Sequence, residues 1–298
     1  YEREYARPAL KNGLAMLEDI GGNPFKFGLI GSTDSHTGIS SPDENNFWGK
    51  FSWHEANPTR AMERFVNIPD IQQFEWEMAA SGLAAVWAQE NTRESLFDAM
   101  RRRETYATTG PRMRVRVFGG WDFTDEDLRA PNWAERGYRK GVPMGADLTP
   151  PSNKNQIPIF MINTWKDPDG ANLDRVQIVK GWLDEHGQTQ EKVFDVGLSD
   201  GRVVSPLTGK APIVGTTVDL SAPNYSNEIG EIQFSIRWTD PSFNINKPAF
   251  YYVRVIEIPT PRWTAYDAAY FNLEMPDYVP MVTQERAYTS PIWFTPEE

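Results

Sequence analysis

The apolar positions follow two different rules along the chain. Up to about residue 111 they recur at helical spacing or in short unbroken runs. Beyond it they alternate with polar residues. Leu10, Leu14 and Leu17 make one helical stripe, which the glycines 21–22 and Pro24 should end. The run "FKFGLIG" (25–31) then reads as a short strand. Its near-continuous apolar character suits a parallel strand covered on both faces. A second helix is predicted over "NTRESLFDAMRRRE". Asn91 is placed as N-cap, Glu94 at capping-box spacing, Leu96, Phe97 and Met100 on the apolar face, and Arg101, Arg102 and Arg103 in the last turn. "TTGPR" (108–112) breaks the pattern.

From Pro111 onward the period is two. "RMRVRVFGG" puts Met113, Val115 and Val117 on one face and Arg112, Arg114 and Arg116 on the other. "EIQFSIRW" repeats this with Ile232, Phe234, Ile236 and Trp238. "IPIFMINTW", "RVQIVKGWL", "EKVFDVGL" and "FYYVRVIEI" are further strands, separated by turn-rich stretches such as "DPDGAN". Many short strands without a convincing helix predict an antiparallel β-sandwich. The fold class expected is therefore α/β followed by mainly β, with a boundary near 111 that separates residues 1–111 from 112–298. No internal repeat is visible.

Composition narrows the function classes. With 298 residues, eleven Trp and sixteen Phe, the chain can bury a large core. A formal net charge of -11 gives no nucleic-acid footprint. The absence of cysteine removes disulfides, thiolate metal sites and a cysteine nucleophile. No apolar run is long enough to span a membrane, and no signal peptide is visible. The compartment stays open, leaning to a soluble periplasmic or secreted setting. The chain begins at Tyr1 inside a polar run, which reads as a fragment or processed product.

The candidate chemistry lies in "GSTDSHTG", where the run 25–31 ends. Asp34 and His36 are alternate residues, and on an extended segment they aim a carboxylate oxygen and an imidazole nitrogen to the same side. Oxygen and nitrogen donors suit Zn, Mn or Fe. The same stretch of Ser, Thr and Asp also makes a good turn or helix cap, with an incidental histidine. The residues alone leave both readings open.

Several blocks carry a resemblance: "KFGLIGSTDSHTG", "SGLAAVWAQENTRESLFDAMRRRETYATTGPR", "DPDGANLDRVQIVKGWLDEHG", "AFYYVRVIEIPTPRW" and "QERAYTSPIWFTP". Together they resemble the carboxyl-terminal half of the domain-of-unknown-function 3604 family, a branch of PHP-like (polymerase and histidinol phosphatase) metallohydrolases. The resemblance implies the carboxyl-terminal part of a distorted PHP-like α/β barrel holding two or three metal ions, followed by a β-rich domain. It implies that Asp34 and His36 are the last metal motif of that barrel. PHP-like sites also use an early H-x-H motif and further donors, and none of these occurs here. A catalytic zinc usually takes three protein ligands. The remaining donors are expected from a missing amino-terminal part of the barrel or from another chain, and the fragment alone is expected to bind metal weakly without turnover. In a complete site a metal lowers the pKa of water from about 15.7 to about 7 and activates it for hydrolysis. The substrate expected is a small-molecule phosphoester, with other esters open.

Other residues have two readings each. Glu44, in "PDENNFWGK", is close enough in sequence to serve the same mouth as a substrate-binding residue, or it is an exposed loop acid. Arg112 belongs to a basic cluster with Arg114, Arg116 and Arg101–Arg103 that would dock an anionic substrate; the alternative is a solvated helix end and strand face. His54 and His186 lie outside any ligand spacing. Trp165, Trp182, Trp238 and Trp263 raise a non-catalytic alternative, a β-sandwich module binding glycan or a partner. Alternation places Trp238 in the core, whereas Trp263, after the proline-stiffened "IPTPR", is the candidate for exposure.

Overall fold

The stretch Ala249–Glu257 has branched and aromatic side chains at nearly every position, and only a strand covered on both faces can bury them all. In the computed structural model, which describes residues 5–39, 41, 43–68, 71–80 and 82–297, it is the centre of the largest sheet. The helices are α1 (Ala6–Ile20), α2 (Arg93–Arg101), α3 (Asp125–Arg129), α4 (Trp133–Lys140) and α5 (Trp263–Phe271). The strands are β1 (Arg64–Ile68), β2 (Ile71–Phe74), β3 (Leu83–Val86), β4 (Thr105–Thr108), β5 (Arg114–Gly120), β6 (Gly141–Pro143), β7 (Asp147–Leu148) and β8 (Ile159–Trp165). They continue with β9 (Leu173–Leu183), β10 (Thr189–Leu198), β11 (Gln233–Thr239), β12 (Ala249–Glu257), β13 (Thr260–Pro261), β14 (Val282–Thr283), β15 (Arg286–Thr289) and β16 (Ile292–Phe294).

One sheet runs β10-β9-β12-β15-β4-β3, with β16 beside β12 and β7 beside β16; a second runs β11-β8-β5-β6, and β1-β2 and β13-β14 form two-stranded ribbons. Apart from the parallel β16–β7 pair the ladders are antiparallel. The inner faces meet in one core. Met113, Val115, Val117, Phe160 and Ile162 come from the smaller sheet and its approach, and Val176, Ile178, Tyr251, Val253 and Val255 from the larger. The other face of β12 presents Phe250 and Tyr252, and Leu10 and Leu14 of α1 pack there. Each of those leucines contributes roughly 1.5–3 kcal/mol by leaving water. Gly21, in the left-handed conformation, ends α1 where the sequence predicts a stop.

The sequence-based expectations for the fold class and for the 25–31 strand are corrected. The chain is mainly β, with 30% of residues in strand and 20% in helix, and its described residues form antiparallel sheets that do not close. No α/β barrel is evident among the described residues. β3 and β4, which precede residue 111, join the same sheet as β12 and β15, which follow it. The run 25–31 forms no ladder: Gly31 N–H donates to Leu83 O at 3.2 Å and Leu29 N–H to Ser290 Oγ at 2.8 Å. Ile30 is 62% exposed, so continuous apolarity did not signal burial on both faces.

Helices also occur beyond 111. α3 announces itself only through its Thr124–Asp127 capping box, and α5 ("WTAYDAAYF") is apolar nearly all round, so it has no periodicity to read. Trp263 opens α5 with 1% exposure, against the expectation of a surface ring. Finally, α2 is capped by Thr92, whose Oγ1 accepts the Ser95 N–H at 3.3 Å, one residue later than the Asn91 expected. Its Phe97 and Met100 lie exposed rather than forming a buried face.

Candidate functional site

The site begins where backbone packs on backbone. A Cβ on Gly31 would meet Thr108 O at 2.6 Å and Leu83 O at 2.8 Å, and one on Gly82 would meet Ser32 O at 2.9 Å. Only glycine lets the 31–33 segment lie this close to the ends of β3 and β4. Gly31→Ala is expected to cost about 1–3 kcal/mol, in the range of overpacking. Chemical denaturation measures it, and a loss near zero would show that the segment is not held as described.

Beyond Gly31 the chain turns. Asp34 has φ 51, a left-handed conformation that costs a non-glycine residue roughly 1 kcal/mol. Two reciprocal bonds hold the turn against residue 50: His36 N–H donates to Lys50 O at 2.8 Å, and Lys50 Nζ donates to Thr33 O at 2.6 Å. The His36 ring stacks on Phe51 with centroids 4.3 Å apart, and Phe51 stacks on Trp53 at 4.5 Å. Three rings in a row thus fix the imidazole plane, and the outermost, Trp53, faces solvent. Asp34 Oδ1 lies 3.4 Å from His36 Nε2, with the side chains 72% and 52% exposed.

The turn explains which residues cap it. Thr33 Oγ1 accepts the Ser35 N–H at 3.2 Å, and Ser35 Oγ and Thr37 Oγ1 both donate to Ile39 O at 3.1 Å. These hydroxyls do the capping. Among the described residues the Asp34 carboxylate takes no backbone N–H; its nearest partner is His36. The pair is therefore convergent and accessible. It is also only a pair, since among the described residues no group of three His, Cys, Asp or Glu is placed to hold a metal ion.

Behind the stack lies a buried polar group that sequence reading missed. His54 Nδ1 is 3.3 Å from Glu75 Oε2, and both side chains are almost fully enclosed. Among the described residues neither Glu75 oxygen nor His54 Nδ1 has a hydrogen-bond partner. Burial pushes Glu75 up to about 7, against the pull of Arg60 and Lys50, and pushes His54 and Lys50 down. In sequence His54 looks isolated because its partner comes from the far side of the β1–β2 ribbon. No local pattern encodes that contact.

Glu75 makes stability pH-dependent. A carboxyl whose folded pKa is raised above its ordinary 4.5 to about 7 holds its proton more tightly when folded. Its stabilising contribution is complete below about pH 4.5 and is lost as pH rises through about 7. Glu75→Gln is expected to flatten this decline and to raise Tm at about pH 8 relative to the parent. Thermal melts across that range check it, and an unchanged slope would contradict the assignment.

Arg60 ties the site to the rest of the fold. Its Nε and Nη2 fork onto Asp267 of α5 at 2.6 and 2.8 Å, and its Nη1 donates to the carbonyls of Phe47, Trp48 and His54.

Glu44 and Arg112 come together elsewhere. Both line a cavity of about 270 Å³ between the 43–45 loop, the 167–171 turn and the ends of β12 and β13; Asp34 and His36 do not line it. Glu44 Oε2 accepts the Trp263 N–H at 2.7 Å, so it anchors the start of α5, and burial raises its pKa. The Arg112 backbone N–H donates to Asp167 Oδ2 at 2.5 Å while its side chain is exposed at the rim. The neighbouring strand arginines of the basic cluster lie over aromatic rings, Arg114 over Trp165 at 5.3 Å and Arg116 over Trp87 at 4.4 Å. His186 is in the exposed β9–β10 turn, where its N–H donates to Asp184 Oδ1.

Fold and site together define a mainly-β protein with an exposed Asp–His pair on one turn and an acid-lined cavity beside α5. The chain belongs to the family described as Protein of unknown function (DUF3604), whose model matches residues 1–296. No curated protein and no solved structure matches it. Among the described residues no helix is long and apolar enough to cross a membrane.

Proposed function

We propose that Asp34 and His36 are two donors of a divalent-metal centre in a PHP-like metal-dependent hydrolase acting on phosphoesters. The observation that carries this reading is their 3.4 Å approach at an exposed turn, with the capping work left to neighbouring hydroxyls. A carboxylate and an imidazole suit Zn, Mn or Fe. The residues fit such an ion as part of its donor set. Two donors are one short of the usual three for a catalytic zinc, so the remainder come from outside the described residues. When bound, the metal supplies Lewis-acid activation of water and of the phosphoryl group.

The chain's own residues have narrower roles. The Phe51 stack sets the imidazole plane, and the bond from His36 N–H to Lys50 O sets the height of the ring. Lys50 Nζ, spent on Thr33 O, holds the turn in shape rather than facing substrate. The four tryptophans considered for glycan stacking are buried or half-buried, which leaves the binding-module alternative without a platform among them.

The test on this chain is equilibrium dialysis against Mn²⁺ or Zn²⁺ with elemental analysis, alongside hydrolysis of p-nitrophenyl phosphate. Weak metal uptake, lost in Asp34→Ala, and no turnover by residues 1–298 alone are the expected results. Hydrolysis that survives Asp34→Ala would remove the assignment. So would retention of a polysaccharide with metal content unaffected by the substitution.

A further inference from the structure

The cavity that receives Glu44 is lined, among its charged residues, mostly by acids. Its walls carry Asp43, Glu44, Asp167, Asp169, Glu257 and Glu285. Glu257, at the end of β12, is 1% exposed, and among the described residues its Oε1 meets no hydrogen-bond partner. A buried polar atom left unpaired costs about 1–3 kcal/mol, so an occupant that pairs with it is favoured by that much. The nearby cations hydrogen-bond to backbone carbonyls rather than to the wall carboxylates. Lys166 Nζ donates to the carbonyls of Asp167 and Gly170, and Arg262 to those of Trp76 and Met78. Among the described residues none of Glu44, Asp167, Glu257 and Glu285 is in a salt bridge. The rim guanidinium of Arg112 is the one basic side chain lining the cavity among the described residues.

We infer that this cavity is a binding site for a small organic cation bearing a primary ammonium or guanidinium group, with Glu257 as its inner anchor. Three features select that class. The acids line the walls without any three placed to hold one metal ion among the described residues, and an organic cation can meet them through several atoms. Tyr225 and Tyr266 complete the lining and supply aromatic rings of the kind that attract ammonium and guanidinium groups. About 270 Å³ admits a short-chain amine.

Burial first, and neighbouring acids second, act on several of the lining groups together. Burial and the charges of Glu285 and Asp167 raise Glu257. Burial and Glu44 raise Glu285 to about 7. Burial, Glu257, Asp167 and Asp43 raise the Tyr225 hydroxyl to about 12. A bound cation relieves this shared repulsion. The inference does not depend on the metal reading, since neither Asp34 nor His36 lines the cavity.

Isothermal titration calorimetry with agmatine, putrescine, glycerol and calcium chloride tests it. Agmatine or putrescine should bind saturably, and glycerol should not. Glu257→Gln and Glu285→Gln, which keep the side-chain shape, should each weaken amine binding about tenfold. Circular dichroism confirms that both variants fold, and Asp34→Ala should leave the affinity unchanged. The inference is overturned by the absence of saturable amine binding, by amine binding that both glutamine variants retain, or by calcium binding that both variants abolish in place of the amine.

Discussion

Arg60→Leu is expected to lower the unfolding free energy by about 3–5 kcal/mol, the cost of stranding one half of a buried ion pair. The Arg60 side chain is enclosed and its fork on Asp267 is two-toothed. Removing it leaves the Asp267 carboxylate inside α5 without its cation. It also leaves the carbonyls of Phe47, Trp48 and His54 without their shared donor. The double variant Arg60→Leu/Asp267→Leu should recover part of the loss, because no uncompensated charge remains. Urea unfolding of the two variants decides the matter. A loss under about 1 kcal/mol for Arg60→Leu would show that the pair contributes no more than a surface bridge.

The second large effect concerns metal affinity. Removing either Asp34 or His36 should weaken Mn²⁺ or Zn²⁺ binding by at least about 100-fold. Outer-shell partners of metal ligands are already worth 10–100-fold, and a direct donor is worth more. The two losses should not add, since a centre that has lost one donor gains little from the other. Phe51→Ala should act through the ring it supports: His36 keeps its nitrogen but loses its fixed plane, so affinity falls by about tenfold. Arg60→Leu should also weaken binding, because Arg60 holds the 47–54 loop that carries Phe51.

What the sequence revealed follows from the range of each interaction. Six longer strands beyond residue 111, β5 and β8–β12, were legible in the sequence; around β5 the signal is local alternation, and Met113, Val115 and Val117 point into the core as their spacing requires. α1 was legible through Leu10 and Leu14. The α/β barrel was not read from alternation or spacing. It came from the resemblance and from the apolar run 25–31, and that run lies against β3 through a single backbone bond rather than in a sheet. α5 was illegible because its residues are apolar nearly all round, which leaves no stripe to read. Asp34 and His36 stood out because a carboxylate and an imidazole stand two residues apart in a polar stretch; in the structure they meet through a turn with Asp34 left-handed, not through extended alternation. Glu75 and Glu257 did not, because an acid's isolation is a tertiary property. Each sits at the end of a long-range contact that no window of sequence contains.

The central claim is that the imidazole at 36 and the carboxylate at 34 share one cation. Pulsed electron paramagnetic resonance of the protein equilibrated with Mn²⁺ tests it most directly, because a coordinated nitrogen couples to the electron spin. The account predicts a coupling from one imidazole that is absent in His36→Gln and present in His54→Gln and His186→Gln. A bound Mn²⁺ with no nitrogen coupling, or a coupling that survives His36→Gln, would contradict it.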